Sequence, residues 1–72
     1  MAHFSVEQYD SLERSVTQRR RIAIYRRGTE YVVIPDRIKL ADGREAVEAT
    51  HPTTGESMTF FLDELDGFEI VP

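Results

Sequence analysis

The amino-acid sequence predicts an α+β domain: an N-terminal α-helix packed on a small antiparallel β-barrel of five to six short strands. Three observations carry this. Apolar residues recur at steps of three and four before position 20 and at steps of two after it. Turn signals built on Gly or Pro punctuate the later part at short intervals. Finally, 72 residues that are 40% hydrophobic and 31% charged suit one folded unit rather than a disordered chain.

The helix is expected over about residues 5–18. Ser5 and Gln8 have the spacing of a capping box, in which the serine hydroxyl accepts a backbone N–H and the glutamine side chain reaches back. Phe4 and Tyr9 sit where a hydrophobic staple would close that cap, and Glu7 places a negative charge in the first turn. Val6, Tyr9, Leu12 and Val16 form the apolar stripe. A helix this short is marginal by itself and has to pack on something.

The barrel is expected over about residues 20–71. Ile22 and Ile24 alternate with Arg21, Ala23 and Tyr25, a half-buried strand that ends at the turn Arg27-Gly28-Thr29. Tyr31-Val32-Val33-Ile34 is apolar on both faces and reads as a central strand closed by Pro35. A short third strand follows over 36–40, with Ile38 and Leu40 inward and Arg37 and Lys39 outward. Asp42-Gly43 signals a type I′ hairpin turn. Strand four covers about 44–51 with Val47 and Ala49 inward, and Pro52-Thr53-Thr54-Gly55 turns the chain. Strand five covers 56–62, burying Met58, Phe60 and Leu62. Residues 63–67 make one tight helical turn before a last strand over 68–71. Short antiparallel strands of this kind curl until few edges stay exposed, with the helix over one open end.

Composition excludes several classes of function. Without cysteine there is no disulfide, thiolate metal site or Cys nucleophile, and two histidines, His3 and His51, are too few for a histidine zinc cage. No apolar stretch reaches the roughly 20 residues of a membrane helix, and no secretory h-region opens the chain, so a soluble cytoplasmic protein is expected. Gly28, Gly43, Gly55 and Gly67 are isolated turn residues without phosphate-loop spacing. His51 before Pro52 reads as a turn histidine, since a nucleophilic triad needs a buried acid and an oxyanion site as well. Glu64 and Asp66 read as an acidic turn rather than an acid–base pair. A barrel this small is filled by its own side chains, so no enzyme activity and no cofactor are expected.

Binding is the expected role. The net charge of −4 divides unevenly: residues 1–44 hold all nine basic residues against six acids, and residues 45–72 hold seven acids and no Lys or Arg. With Ile22 and Ile24 inward, Arg21, Tyr25 and Arg27 face outward, joined by Arg37 and Lys39 two strands away and Arg44 beyond the next turn. Interleaved basic and aromatic residues suit single-stranded nucleic acid or a nucleotide, with arginines on phosphates and tyrosine as a stacking plane. The other reading lays Tyr25 and the arginine stems across apolar surface with their charged heads in water. Tyr31 belongs to either the groove or the core. A competing role is protein contact or homo-oligomer formation through Phe61 and Val71, which point outward if Phe60 and Leu62 point in. The alternative for Phe61 is packing beneath the helix.

The run from Leu12 to Tyr25, LERSVTQRRRIAIY, resembles the opening of the WYL domain, where a helix ending in paired arginines feeds a strand of aliphatics and a tyrosine. Val33-Ile34-Pro35, then Ile38 to Arg44, and the stretch from Gly55 to Leu65 follow in the family's order. The likeness spans about residues 12–71. It implies a small Sm- or SH3-type barrel and a regulatory role, since WYL domains of bacterial regulators are thought to sense ligands, nucleic acid included, through basic side chains. Glu45-Ala46-Val47 stands where the signature tripeptide would fall, and Phe61 and Glu64 stand where the family has arginines. The winged-helix segment that usually precedes a WYL domain has no counterpart in these residues.

Overall fold

The structure, a computed structural model, describes residues 4–72; His3 lies outside the described residues. Helix α1 (Val6–Gln18) begins at Ser5, whose hydroxyl accepts the Gln8 N–H at 3.1 Å while the Gln8 side chain accepts the Ser5 N–H at 2.9 Å. Both halves of the expected capping box are present. The helix ends at Arg19 in the left-handed region (φ 52), where the Arg20 N–H reaches back to the Ser15 carbonyl at 3.0 Å.

The buried face of α1 is rotated from the expected stripe. Leu12 and Ser15 are buried, Tyr9 and Val16 are half-buried, and Val6 is 79% exposed. At about 100° per residue, Val6 points about 120° away from Leu12, too far round to reach the sheet. Phe4, just before the cap, packs edge-on against Phe68 with ring centroids 5.5 Å apart.

Five strands follow: β1 (Ile22–Arg26), β2 (Thr29–Ala41), β3 (Arg44–Thr50), β4 (Ser57–Phe61) and β5 (Gly67–Ile70), with a 3-10 turn at Leu62–Glu64. All pairings are antiparallel, in the order β4-β3-β2-β1-β5. The sheet is open: β4 and β5 are its two edges, and no ladder joins them. The expected closure is therefore not made by backbone hydrogen bonds.

The expected break at Pro35 is also absent. β2 is one strand of 13 residues that pairs with β1 through Val33 and with β3 from Ile34 onward, and its register slips between Pro35 and Arg37. The β1 ladder has ended where Pro35 stands, and a bulge is where a missing N–H is tolerated. The bulge bends the strand and lets it serve both halves of the sheet. Two expected strands thus become one.

Both two-residue hairpins have positive φ at each central residue: 51° and 78° at Arg27 and Gly28, 54° and 74° at Asp42 and Gly43. The core gathers Leu12, Ile22, Ile24, Val33, Val47, Ala49, Phe60, Leu62 and Leu65. Leu40, expected inward, is 73% exposed. It pairs with Glu45 near the Asp42-Gly43 turn, where the β2–β3 hairpin runs past the last residue of β4 that pairs, Phe61. Among the described residues, no strand pairs beyond it on that side. Among the described residues no helix is long and apolar enough to cross a membrane.

Candidate functional site

The bend in β2 divides the outward residues into two separate faces. On β5-β1-β2, the register places Tyr25 between Glu30 and Gly67, and Ala23 between Val32 and Glu69. Tyr25 is therefore flanked by acids. Its hydroxyl lies 3.4 Å from a Glu30 carboxylate oxygen, and partial burial, then the charges of Glu69 and Glu30, raise its pKa. Arg21 precedes β1 and accepts the Val71 N–H on its carbonyl at 3.0 Å, which places Val71 beside it, half-buried. Arg27 stands in the turn rather than on the strand, exposed.

On β2-β3-β4, Arg37 opposes Glu48, which in turn opposes Thr59, and Lys39 opposes Ala46, which opposes Phe61. Arg37, Lys39, Arg44 and Phe61 share this face. Glu48 sits between the first two, hydrogen-bonded to Arg37 and 2.8 Å from Lys39, and these cations, Lys39 first, lower its pKa. Arg44 donates to Asp63 through two nitrogens, at 2.9 and 2.5 Å, and to Glu64 at 3.1 Å. Those bonds raise the Arg44 pKa and lower that of Asp63. The same guanidinium covers Phe61 at 4.0 Å from the ring centroid, so Phe61 is half-buried under an arginine. The basic half of the sequence thus neutralises itself against the acidic half across this face.

The six expected ligand-binding side chains consequently do not form one groove. Arg21 and Tyr25 lie on one face and Arg27 in the turn beside it, while Arg37, Lys39 and Arg44 lie on the other face, each paired with a carboxylate. Tyr31 packs inward on Phe60 with centroids 5.3 Å apart. Arg26 was not singled out by its pattern. It points with Ile22 and Ile24 to the inner face and lies 5.1 Å from both the Tyr31 and Phe60 ring centroids, its Nη2 3.4 Å from the Tyr31 hydroxyl. Its place two residues past Ile24 was the available signal.

His51 is engaged in its turn. Its Nδ1 accepts the Thr53 and Thr54 N–H groups at 3.2 and 3.3 Å, and its backbone bonds Glu56 and Gly55. Among the described residues no buried side-chain nitrogen or oxygen lacks a partner, and no group of three or more Asp, Glu or His side chains is placed to hold a metal ion. No protein-family model, curated protein or solved structure matches the chain.

Proposed function

We propose that this chain is a non-enzymatic binding module that acts in the cytoplasm by protein contact, with a second copy or with a protein partner. The observation that carries the reading is the open sheet: among the described residues, β4 and β5 each have no neighbouring strand on their outer side, which leaves a row of backbone N–H and C=O groups for pairing. Such edges are templates for strand pairing with another chain. Exposed Leu40 and Val32, the latter 39% exposed, add apolar surface on the strands between. A bent five-stranded sheet behind an N-terminal helix also suits a partly open SH3-like barrel, and the resemblance to WYL domains would make the contact a regulatory one.

A second reading, single-stranded nucleic acid or a nucleotide, is favoured by one observation. Among the described residues Arg14, Arg20, Arg21 and Arg27 make no ion pair. Sedimentation over a concentration series, beside titration of labelled oligonucleotides at low and moderate salt, separates the two. Protein contact requires a mass above the monomer, reduced when Ser57→Lys and Thr59→Lys place charge on the β4 edge, or capture of a partner sensitive to the same changes. A strict monomer that binds oligonucleotide at low salt, and loses it on charge reversal at Arg21 and Arg27, would replace this reading with the second.

A further inference from the structure

We propose that the groove between α1 and the end of β5 is a binding site for a phosphate-bearing anion. The groove encloses about 190 Å³ and is lined by Ser11, Arg14, Ser15, Gln18, Arg20 and Ile70. Its wall follows from the helix: Ser11, Arg14 or Ser15, and Gln18 recur at steps of three and four, on the side of Leu12 away from Val16. Serines stand where larger side chains would fill the space. Ser15 is 2% exposed and donates its hydroxyl to the Ser11 and Leu12 carbonyls, so it shapes the floor rather than offering a donor.

The chemistry of the remaining lining is one-sided. It contains two guanidiniums, a hydroxyl, an amide, an apolar floor and no carboxylate. Among the described residues, the side chains of Arg14, Gln18 and Arg20 make no hydrogen bond, and the Ser11 hydroxyl makes none. Asp10 and Glu13 lie on the neighbouring side of Arg14, yet neither forms an ion pair with it. This sets the groove apart from the β2-β3-β4 face, where Arg37, Lys39 and Arg44 are each paired with a carboxylate. Guanidiniums match phosphate oxygens in charge and in their planar, two-toothed geometry. The nearby helix end presents carbonyls, so it supplies no N–H to the anion; the arginines have to carry the attraction, and salt should weaken it.

The test follows backbone amide shifts during separate titrations with inorganic phosphate, adenosine monophosphate and phosphate-free adenosine at low salt. Saturable shifts centred on Ser11, Gln18, Arg20 and Ile70 with the two phosphate compounds, and none with adenosine, are expected. Equal response to both assigns the site to the phosphate group alone, and tighter binding of the nucleotide assigns it to a nucleotide. Arg14→Gln and Arg20→Gln should each weaken binding about tenfold or more, while Arg19→Gln, an arginine outside the groove that is paired with Asp36, leaves it unchanged. Amide dispersion of each variant verifies its fold. Non-saturable shifts, an equal response to adenosine, or equal loss in Arg19→Gln overturns the proposal.

Discussion

Arg44 holds its guanidinium 4.0 Å from the centroid of Phe61 while binding the Asp63 carboxylate through two nitrogens. One side chain thereby shields an outward aromatic and ties the start of β3 to the 3-10 turn after β4. It stands beside Glu48, with Arg37 and Lys39, as the second knot of charge on that face.

These carboxylates set the acid limb of stability. Asp63 and Glu48 have pKa values lowered in the folded chain, by Arg44 in the first case and by Lys39 and then Arg37 in the second. Their contribution is present above the ordinary carboxylate range and is lost as pH falls below about 4 through the folded values. Urea midpoints measured from neutral pH downward should fall in that window. Arg44→Ala should lower the neutral midpoint and flatten the acid fall. An unchanged acid limb in that variant would remove Asp63 from the account.

Tyr9 predicts an alkaline counterpart. Its hydroxyl donates to Glu45, and that bond, followed by burial and the Glu45 charge, pushes its pKa up to about 12. A raised folded value stabilises below the unfolded value of about 10 and is lost as pH climbs from there toward 12. Phenolate absorbance should show a late step that belongs to Tyr9, the tyrosine pushed up to about 12. Tyr9→Phe should delete that step and the matching loss of stability.

Two arginines occupy left-handed backbone, and they should respond differently to relief. Arg27 stands at the first central position of a type I′ turn and forms no ion pair among the described residues. Arg27→Asn is expected to stabilise by about 0.5–1 kcal/mol, because Asn tolerates positive φ. Arg19 spends its side chain on Asp36 at 2.9 Å, and Thr50 donates to the same carboxylate at 2.6 Å. Arg19→Gly should gain less or nothing, since the eased backbone is offset by the lost pair. Thermal unfolding of both variants decides it.

The cap of α1 is the simplest local test. Ser5→Ala removes the acceptor for the Gln8 N–H and should cost about 1 kcal/mol, read from denaturant midpoints. Gln8→Ala should cost a smaller amount, since an exposed Ser5 N–H can bond water instead. A larger effect at Gln8 than at Ser5 would contradict the capping geometry.

How much was legible depended on range. The Ser5–Gln8 box and the Asp42-Gly43 turn are settled by neighbours three residues apart or closer, and both stand as expected. Val6 and Leu40 differ because burial depends on what lies opposite. Helical rotation leaves Val6 off the packed face, and the β2–β3 hairpin carries Leu40 past β4. Pro35 ends strands in general, but here it falls at a bulge beyond the β1 ladder. Of the expected site, the outward facing of Arg37 and Lys39 was legible from alternation. Their capture by Glu48, 11 and 9 residues onward, was not, because cross-strand register is a property of the assembled sheet.

The sequence alone determined the helix, the change of backbone period near residue 20 and the two tight turns. These rest on dihedral preference and local hydrogen bonding, which need no distant partner. Tertiary structure decided that the sheet stays open, that β2 bends through Pro35, and that Arg37, Lys39 and Arg44 meet carboxylates while, among the described residues, Arg14 and Arg20 form no ion pair. Coulomb attraction acts through space, so which charges neutralise one another follows from register and curvature and not from their order along the chain.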